Sequence, residues 1–276
     1  MFKNLTTFKT VYETRSFSRA ATLLFIAQPT VSAQIKQLEA EFGLELFIRN
    51  GRGEVGITPA AKELYQETLT MLGTWAKLHQ SLPGATGKQA ICRIASSHTF
   101  ATYLLPDLLP LLVDQFPAVQ FSVQMANSQS VQDALLRRDA DLGFIEKPLA
   151  TKQLHRHTLI NDQLVHAGTT GPWLIRENAS GVYYYTNRFL TEKGITNDVI
   201  EIDNNAVIVN LLRSGFGQSI ISARAAAGIQ HVSLGPKFVR QFYLVNRQDD
   251  GNNPVAQVCR AVRVFYAQQD GAPAAN

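Results

Sequence analysis

The side chains that could do chemistry in this 276-residue sequence begin with a polar group near the N-terminus. Val31, Ile35 and Leu38 recur at helical spacing, so they share one face of a predicted helix. The other face carries small polar groups and a lysine: Thr30, Ser32, Ala33, Gln34 and Lys36. Such a face fits a DNA groove, and no acidic residue between positions 14 and 38 would repel a phosphate backbone.

A second short helix precedes this one, with no room for a strand between them. Ser18 is the predicted N-cap, and Ala20, Ala21 and Leu24 form a narrow apolar stripe. Pro29 suits the first turn of the next helix, and Gly43 is predicted to end it. From the periodicity alone, a helical pair with an ordinary solvated face explains the pattern equally well.

The order of residues in 16–59 favours the DNA interpretation. It resembles the winged helix-turn-helix of the LysR-type transcriptional regulators through these segments: Ser16-Phe17-Ser18-Arg19-Ala20-Ala21, Gln28-Pro29-Thr30-Val31-Ser32, Leu38-Glu39, Leu46-Phe47, Arg49 and Thr58-Pro59. Ala27 stands where the family usually has Ser or Thr, and Ala61 where it has Gly.

The resemblance implies that these residues contact double-stranded operator DNA: Arg19, Gln28, Pro29, Thr30, Ser32, Ala33, Lys36, Arg49 and Arg52. Thr30, Ala33 and the Gln28 amide would approach base edges. Ser32 and Lys36 would hold phosphates. Arg49 and Arg52 would act from a glycine-containing wing, reaching a phosphate or a narrow minor groove. Alternatively, Arg52 is an ordinary solvated charge of a loop and does not contact DNA.

A long helix is predicted to begin at Thr58-Pro59. Its apolar seam has three- and four-residue spacing: Ala61, Leu64, Thr68, Met71, Trp75, Leu78 and Leu82. Such a seam calls for a partner helix, although Tyr65, Leu69 and Leu72 could instead pack on the N-terminal domain. The resemblance implies a linker helix that pairs two subunits, in a dimer that is expected to form a tetramer. The proline and glycines of residues 83–87 predict a hinge after this helix.

The second group of reactive side chains follows the strands of a predicted α/β region. Strands and helices alternate from Ile91 onward, which indicates parallel β-α-β units. Ligands of such sheets bind beyond the carboxyl ends of the strands. This selects, with one residue from a second lobe, the following effector contacts: Ser96, Ser97, His98, Thr99, Ser128, Glu146 and Asp203.

Hydroxyls and N–H groups at positions 97–99 converge as around a carboxylate or sulfate, so a small anionic effector is expected. Capping of the next helix by Ser97 or Thr99 is the alternative. Glu146 would pair with an amine or hydroxyl of the effector, or with Lys147.

The resemblance implies an α/β fold with three parts. Residues 1–58 form a winged helix-turn-helix, and 59–88 form the linker helix and hinge. Residues 89–276 form a two-lobed effector-binding domain similar to periplasmic binding proteins. Lobe one would comprise 89–147 and 252–268, and lobe two 148–251. The chain would cross between lobes near Lys147-Pro148 and near 249–252.

Whole-chain properties agree with a cytoplasmic regulator. The net charge of +4 is mildly basic, the two cysteines lie in apolar contexts, and no signal peptide or membrane span is evident. No catalytic set, cofactor or metal is expected, because nothing completes His155-Arg156-His157 as a metal site. Expected partners are operator DNA, a small-molecule effector, further copies of the chain and RNA polymerase. The alternative is a small-molecule-binding protein or α/β enzyme with an accessory helical domain.

Overall fold

The computed structural model describes residues 1–49, 55–81, 90–149, 153–196, 198–247 and 254–270. The chain divides into two compact units, residues 1–88 and 89–276. In the parts of the chain so described, no helix has the length and apolar character needed to cross a membrane.

The first unit is a winged helix-turn-helix followed by a long helix. Its elements are α1 (Phe2–Thr14), α2 (Phe17–Leu24), α3 (Gln28–Phe42), β1 (Phe47–Arg49), β2 (Val55–Ile57) and α4 (Pro59–Ser81). The strands β1 and β2 pair antiparallel, and the inward residues of α3 are almost completely buried beside Phe8 of α1. The predicted buried stripe of α3 (Val31, Ile35, Leu38) is therefore confirmed.

Helix capping in this unit follows the expected chemistry with one shift. Ser16, rather than Ser18, is the N-cap of α2, and its hydroxyl accepts from the Arg19 N–H at 3.3 Å. Ser18 lies inside the helix, where its carbonyl accepts from the Thr22 hydroxyl. Gly43 ends α3 at φ 66°, a left-handed conformation that glycine adopts without steric cost.

The apolar seam of α4 divides into two halves. Ala61 and Thr68 are fully buried within the first unit, next to Tyr65 and Leu69. Packing on the unit's own core, the alternative given for this helix from its sequence, thus accounts for this half. Met71, Trp75 and Leu78 are 40–46% exposed, and Phe2 stacks on Trp75 with ring centroids 4.3 Å apart. Leu82 and the predicted hinge lie outside the described residues.

The second unit is an α/β fold. In chain order it contains β3 (Ala90–Ser96), α5 (His98–Tyr103), α6 (Leu105–Gln115), β4 (Val119–Met125), α7 (Ser128–Leu136), β5 (Leu142–Ile145), β6 (Leu154–Ala167), β7 (Trp173–Ile175), α8 (Tyr183–Glu192), β8 (Val199–Glu201), α9 (Asn205–Arg213), β9 (Ser219–Ser222), β10 (His231–Ser233), β11 (Val239–Arg247) and α10 (Pro254–Asp270).

Among the described strands, one sheet has the order β10-β6-β11-β5-β3-β4, with β9 also paired to β6. Strand β3 runs parallel to β4 and β5, as the β-α-β pattern predicted. Strand β6 pairs antiparallel with β9, β10 and β11, and β11 also pairs antiparallel with β5. In a separate two-stranded sheet, β7 runs parallel to β8. The strands β6 and β11 are the longest of the sheet, and they pair antiparallel over almost the whole length of β11.

The crossing between lobes lies inside β6 and β11. Leu159 and Leu244 pack in the core below α5 and α6, whereas Val165 and Ala167 pack against α9. The register of β6 with β11 shifts between Phe242 and Tyr243. The predicted crossing at Lys147-Pro148 lies ahead of β6 in the chain, and the other predicted crossing, near 249–252, lies outside the described residues.

Candidate functional site

The polar face of α3 is presented to solvent. Gln28, Pro29, Ala33 and Lys36 are exposed, and Thr30 and Ser32 are half-buried. The Gln28 side-chain amide donates to the Ser32 hydroxyl at 3.2 Å, so the two are held together on one side of the helix. Arg19, on α2, is also exposed.

One detail of α3 departs from the predicted pattern, and another agrees with it. Gln34 is buried rather than outward, because its carbonyl oxygen accepts from the Thr7 hydroxyl of α1 at 2.6 Å. Ala27 is the N-cap, and no side-chain cap bond forms there. Arg49 is the last residue of β1, while Arg52 lies outside the described residues.

A small recess, partly open to solvent, lies between the lobes of the second unit. Its lining comes from the ends of β3, β4 and β5, from the segment after β7 and from β11: Ser97, His98, Thr99, Asn127, Ser128, Glu146, Arg176, Ser180, Gly181, Val182 and Arg240. Five of the predicted effector contacts therefore lie together.

The other two predicted contacts lie elsewhere. Ser96 is buried behind the lining, and its hydroxyl donates to the Ser97 carbonyl at 3.2 Å. Asp203 is exposed just before α9 and is not part of the lining.

Ser97 is the N-cap of α5, but its hydroxyl does not cap the helix. The side chain is 2% exposed, and its oxygen makes no hydrogen bond within the described chain. A buried hydroxyl without a partner costs about 1–3 kcal/mol. Simple helix capping therefore does not explain Ser97.

Arg240 is the central cation of the recess. Its Nε donates to Asp162 at 2.8 Å, and its Nη2 donates to the Thr99 hydroxyl oxygen at 3.2 Å and lies 3.7 Å from Glu146. Burial alone would lower the pKa of Arg240, but Asp162 and Glu146 outweigh burial and raise it. The guanidinium is therefore permanently charged, and it joins Thr99 and Glu146 of lobe one to strands that cross into lobe two.

Each acidic partner of Arg240 has further donors. Asp162 is fully buried, accepts from the Ser222 hydroxyl at 2.5 Å and lies 3.7 Å from the Arg224 Nε. Glu146 accepts from the Ser128 hydroxyl at 3.1 Å. Its described partners are thus Ser128 and Arg240, and not Lys147, which was one of the two alternatives from the sequence.

A second buried cation approaches from the other side of the recess. Arg176 is 4% exposed and donates through Nε and Nη2 to both carboxylate oxygens of Glu177, at 2.8 and 3.0 Å. This two-point contact fixes the plane of the guanidinium. Burial and the nearby Arg176 together lower the pKa of His98, which keeps its imidazole neutral at pH 7.

Gly181 brings the backbone of lobe two against lobe one. A Cβ at this position would lie 2.9 Å from Glu146 Oε2 and 3.3 Å from the Ser128 hydroxyl oxygen. A side chain at position 181 would therefore displace Glu146 or move the two lobes apart.

Sequence reasoning missed Arg176, Gly181 and Arg240 as site residues. Arg176 and Gly181 follow β7, and the position beyond a strand end was the signal that selected the predicted contacts of lobe one. No signal in the sequence pointed to Arg240, because its ion-pair partner Asp162 is 78 residues away.

Other reactive groups of the second unit include histidines and cysteines outside the recess. No cluster of three or more His, Cys, Asp or Glu side chains suited to a metal occurs in the described ranges. The His155 and His157 rings are 6.3 Å apart on β6. Cys92 and Cys259 are free thiols in the lobe-one core, and burial raises the pKa of Cys259 to about 11. Both thiols are therefore protonated at neutral pH.

Known proteins resemble both units. Residues 2–62 match the family profile described as "Bacterial regulatory helix-turn-helix protein, lysR family", and residues 85–263 match "LysR substrate binding domain". The activator CmpR of Synechocystis is 29% identical over 80% of this chain and 78% of its own. The regulator CysL of Bacillus subtilis is 28% identical over 95% and 94%.

Solved structures share the fold. Full-length CbnR in complex with its target DNA aligns with a TM-score of 0.62 at 19% identity, covering 96% of this chain and 99% of that one. A full-length OxyR variant from Pseudomonas aeruginosa aligns with a TM-score of 0.65 at 18% identity, covering 96% and 93%. These family matches are to regulators rather than enzymes. The chain therefore belongs to the LysR family and is a DNA-binding transcriptional regulator with an effector-binding domain.

Proposed function

We propose that this regulator reads operator DNA with the exposed face of α3 and is controlled by a small anion bound in the recess between its effector-domain lobes. The observation that carries the DNA part is the solvent-facing group of Gln28, Pro29, Ala33 and Lys36 on one helix. Thr30, Ala33 and Gln28 would contact base edges, while Ser32, Lys36, Arg19 and the wing arginines Arg49 and Arg52 would contact the backbone.

Substitutions on this face test the assignment. Ser32→Ala and Lys36→Ala should weaken operator binding with little change in melting temperature. Lys36→Ala should also reduce the slope of log affinity against log salt by about one unit, since one phosphate contact is lost. Lys9→Ala, on α1, is the matched lysine control. Wild-type operator affinity in both α3 variants would exclude this reading face.

The anion assignment rests on the buried Ser97 hydroxyl, which has no partner within the described chain. The Thr99 hydroxyl accepts from Arg240, so its own proton is free to be donated to a ligand. Arg176 and the neutral His98 add donors on the same side. Glu146 would repel an anion, so we place the anionic group at the Ser97 end and a hydroxyl or amine of the effector at Glu146.

A melting-shift screen of carboxylates, sulfate and phosphate tests this part. A ligand that binds only the folded state raises stability by about 2.7 kcal/mol at a hundredfold excess over its dissociation constant. Thr99→Ala should lose roughly 1.5–3 kcal/mol of binding free energy, because one charge-assisted hydrogen bond disappears. Thr191→Ala, on the exposed side of α8, is the control. A ligand that stabilises wild type and Thr99→Ala equally would bind elsewhere, and a purely cationic hit would contradict the anion.

We further propose self-association through the exposed half of α4, with Met71, Trp75 and Leu78 as its contact, in a dimer that forms a tetramer. Met71→Glu should weaken association measured by light scattering, because a carboxylate cannot be desolvated there without a partner. Gln66→Glu adds the same charge at another exposed position of α4 and should associate normally. A wild-type monomer at micromolar concentration would refute the proposal.

Each part of the chain has a separate role in the proposed function. Residues 1–58 would read DNA, 59–88 would link and pair subunits, and 89–276 would sense the effector. Such a protein would act in the cytoplasm, where its operator is, and would contact RNA polymerase at the promoter. Transcription from a reconstituted promoter, with and without effector, tests whether polymerase responds.

A further inference from the structure

An aromatic side chain lies in the turn that leads into α3. Phe25 is 95% exposed, the highest value among the exposed large hydrophobic residues of the described chain. Exposing one apolar residue is ordinary, but a nearly fully exposed phenylalanine gives up almost all the stabilisation that burial of its ring would supply. Packing within the fold therefore does not account for Phe25.

The backbone of Phe25 is also unfavourable for this residue type. It is the C-cap of α2, at φ 54° and ψ 40° in the left-handed region. The Phe25 N–H is held by the carbonyls of Ala21 and Thr22, so the turn itself fixes the conformation. Glycine or asparagine adopts this region more readily than a bulky side chain. Phenylalanine is thus a poor choice for the stability of the turn.

The position of Phe25 points to DNA as what covers its ring. It lies two residues before Ala27, the N-cap of α3, and three before Gln28 of the proposed reading face. In helix-turn-helix proteins the N-terminal end of the recognition helix meets base edges, and the preceding helix crosses the backbone. The turn between them therefore lies at the edge of the groove, where sugars and thymine methyls offer apolar surface.

The charge around this turn agrees with a nucleic-acid partner. Arg15, Arg19 and Lys36 are the charged residues between positions 14 and 38, and none is acidic. Phosphates can therefore approach the turn without repulsion. We infer that Phe25 is a further DNA-contacting residue, which packs its ring against the apolar edge of the operator at the border of the groove. This inference rests on α3 being the reading helix.

Phe25→Asn is the decisive variant, because asparagine tolerates the left-handed conformation. Melting temperature should stay the same or rise, while operator affinity should fall about tenfold as the ring contact is lost. The slope of log affinity against log salt should not change, since no charge is removed. Phe42→Asn is the matched control: Phe42 is also exposed but lies about 21 Å along α3 from Gln28, and its loss should leave affinity unchanged.

Operator DNA with deoxyuridine in place of single thymidines identifies the contacted surface. If a thymine methyl is the contact, one such replacement weakens wild type but has no further effect on Phe25→Asn. If only deoxyribose is contacted, every replacement affects both proteins equally, while Phe25→Asn still binds more weakly than wild type.

Lys36→Ala in the same assay separates the two levels of inference. Weakened binding by Lys36→Ala together with wild-type affinity of Phe25→Asn overturns the Phe25 contact alone. Wild-type affinity of Ser32→Ala, Lys36→Ala and Phe25→Asn overturns the reading face as well. Wild-type DNA affinity with lost transcription in Phe25→Asn would show a protein contact instead, and would also overturn the inference.

Discussion

The two proposed sites of this regulator each contain a cation, and the two cations lie in opposite surroundings. Lys36 stands exposed on α3, whereas Arg240 is buried in the recess with Asp162 and Glu146 around it. An exposed cation is solvated until DNA replaces its water and ions. The charge of a buried cation must be neutralised by acidic groups within the fold. A ligand that binds in the recess therefore meets ion pairs that already exist. The first site can be altered with little risk to folding, and the second cannot.

Removing one cation from each site should give the largest contrast. Arg240→Met leaves Asp162 buried without its closest counter-charge and should cost about 3–5 kcal/mol of unfolding free energy. Lys36→Met should change it by less than about 0.5 kcal/mol. Urea unfolding followed by circular dichroism measures both. Adding Asp162→Asn to Arg240→Met should restore part of the loss, and equal losses in the two single variants would contradict the contrast.

A bulkier residue at the contact between lobes should have the next largest effect. Gly181→Ala places a methyl group 2.9 Å from Glu146 Oε2, so the lobes must separate slightly or the carboxylate must move. We expect a loss of about 1–3 kcal/mol in stability. Glu146→Ala in the same chain removes Oε2 but keeps the Cβ of residue 146, which lies 3.0 Å from the added methyl group, so it should relieve only part of the loss. Unchanged stability in Gly181→Ala would mean that the contact yields without cost.

Two serines at helix N-caps provide a smaller and more discriminating comparison. Ser16 caps α2 through a hydrogen bond, so Ser16→Ala should cost about 1 kcal/mol. Ser97 makes no such bond, so Ser97→Ala should leave stability unchanged or raise it by up to about 1 kcal/mol, while effector binding weakens. Thermal unfolding of both variants decides the matter. A clear destabilisation by Ser97→Ala would show that its hydroxyl has a structural role.

The same comparison explains what could be predicted from the sequence. Val31, Ile35, Leu38 and Gly43 act through local spacing and backbone conformation, so their positions in α3 followed directly. Ser16 and Ser18 are equally good caps by residue type, and only the path of the chain chose Ser16. The burial of Gln34 depends on Thr7 of another helix, which no pattern within α3 contains.

The lining of the recess was predictable only in part, for the same reason. Ser97, His98, Thr99, Ser128 and Glu146 follow strand ends, and parallel strands bring such ends together. The contribution of β11 depends on an antiparallel crossing that the alternating pattern did not predict. Arg240 therefore emerged only with the register of β11 against β6.

The smallest expected effect is a pH dependence at His98. Its folded-state pKa is lowered, first by burial and then by Arg176, so the unfolded chain binds the proton more tightly. Stability contributed by neutral His98 is present above pH 6.5 and is lost as pH falls through the lowered folded value. An anion beside the ring would favour protonation, so its affinity should rise as pH falls through the same window. His98→Gln should remove both dependences, and titration of melting temperature and affinity with pH measures them.

The continuous strands that join the two lobes restrict how the effector domain can move. Strands β6 and β11 stay hydrogen-bonded from Leu154 with Arg247 to Gln163 with Val239, apart from the irregularity at Phe242 and Tyr243. A paired ribbon bends and twists much less readily than a flexible linker. Deformation should therefore concentrate at the irregularity, whose amides should exchange with deuterium faster than those on either side. Effector binding in such a domain would act through a small, stiff rotation rather than a wide opening.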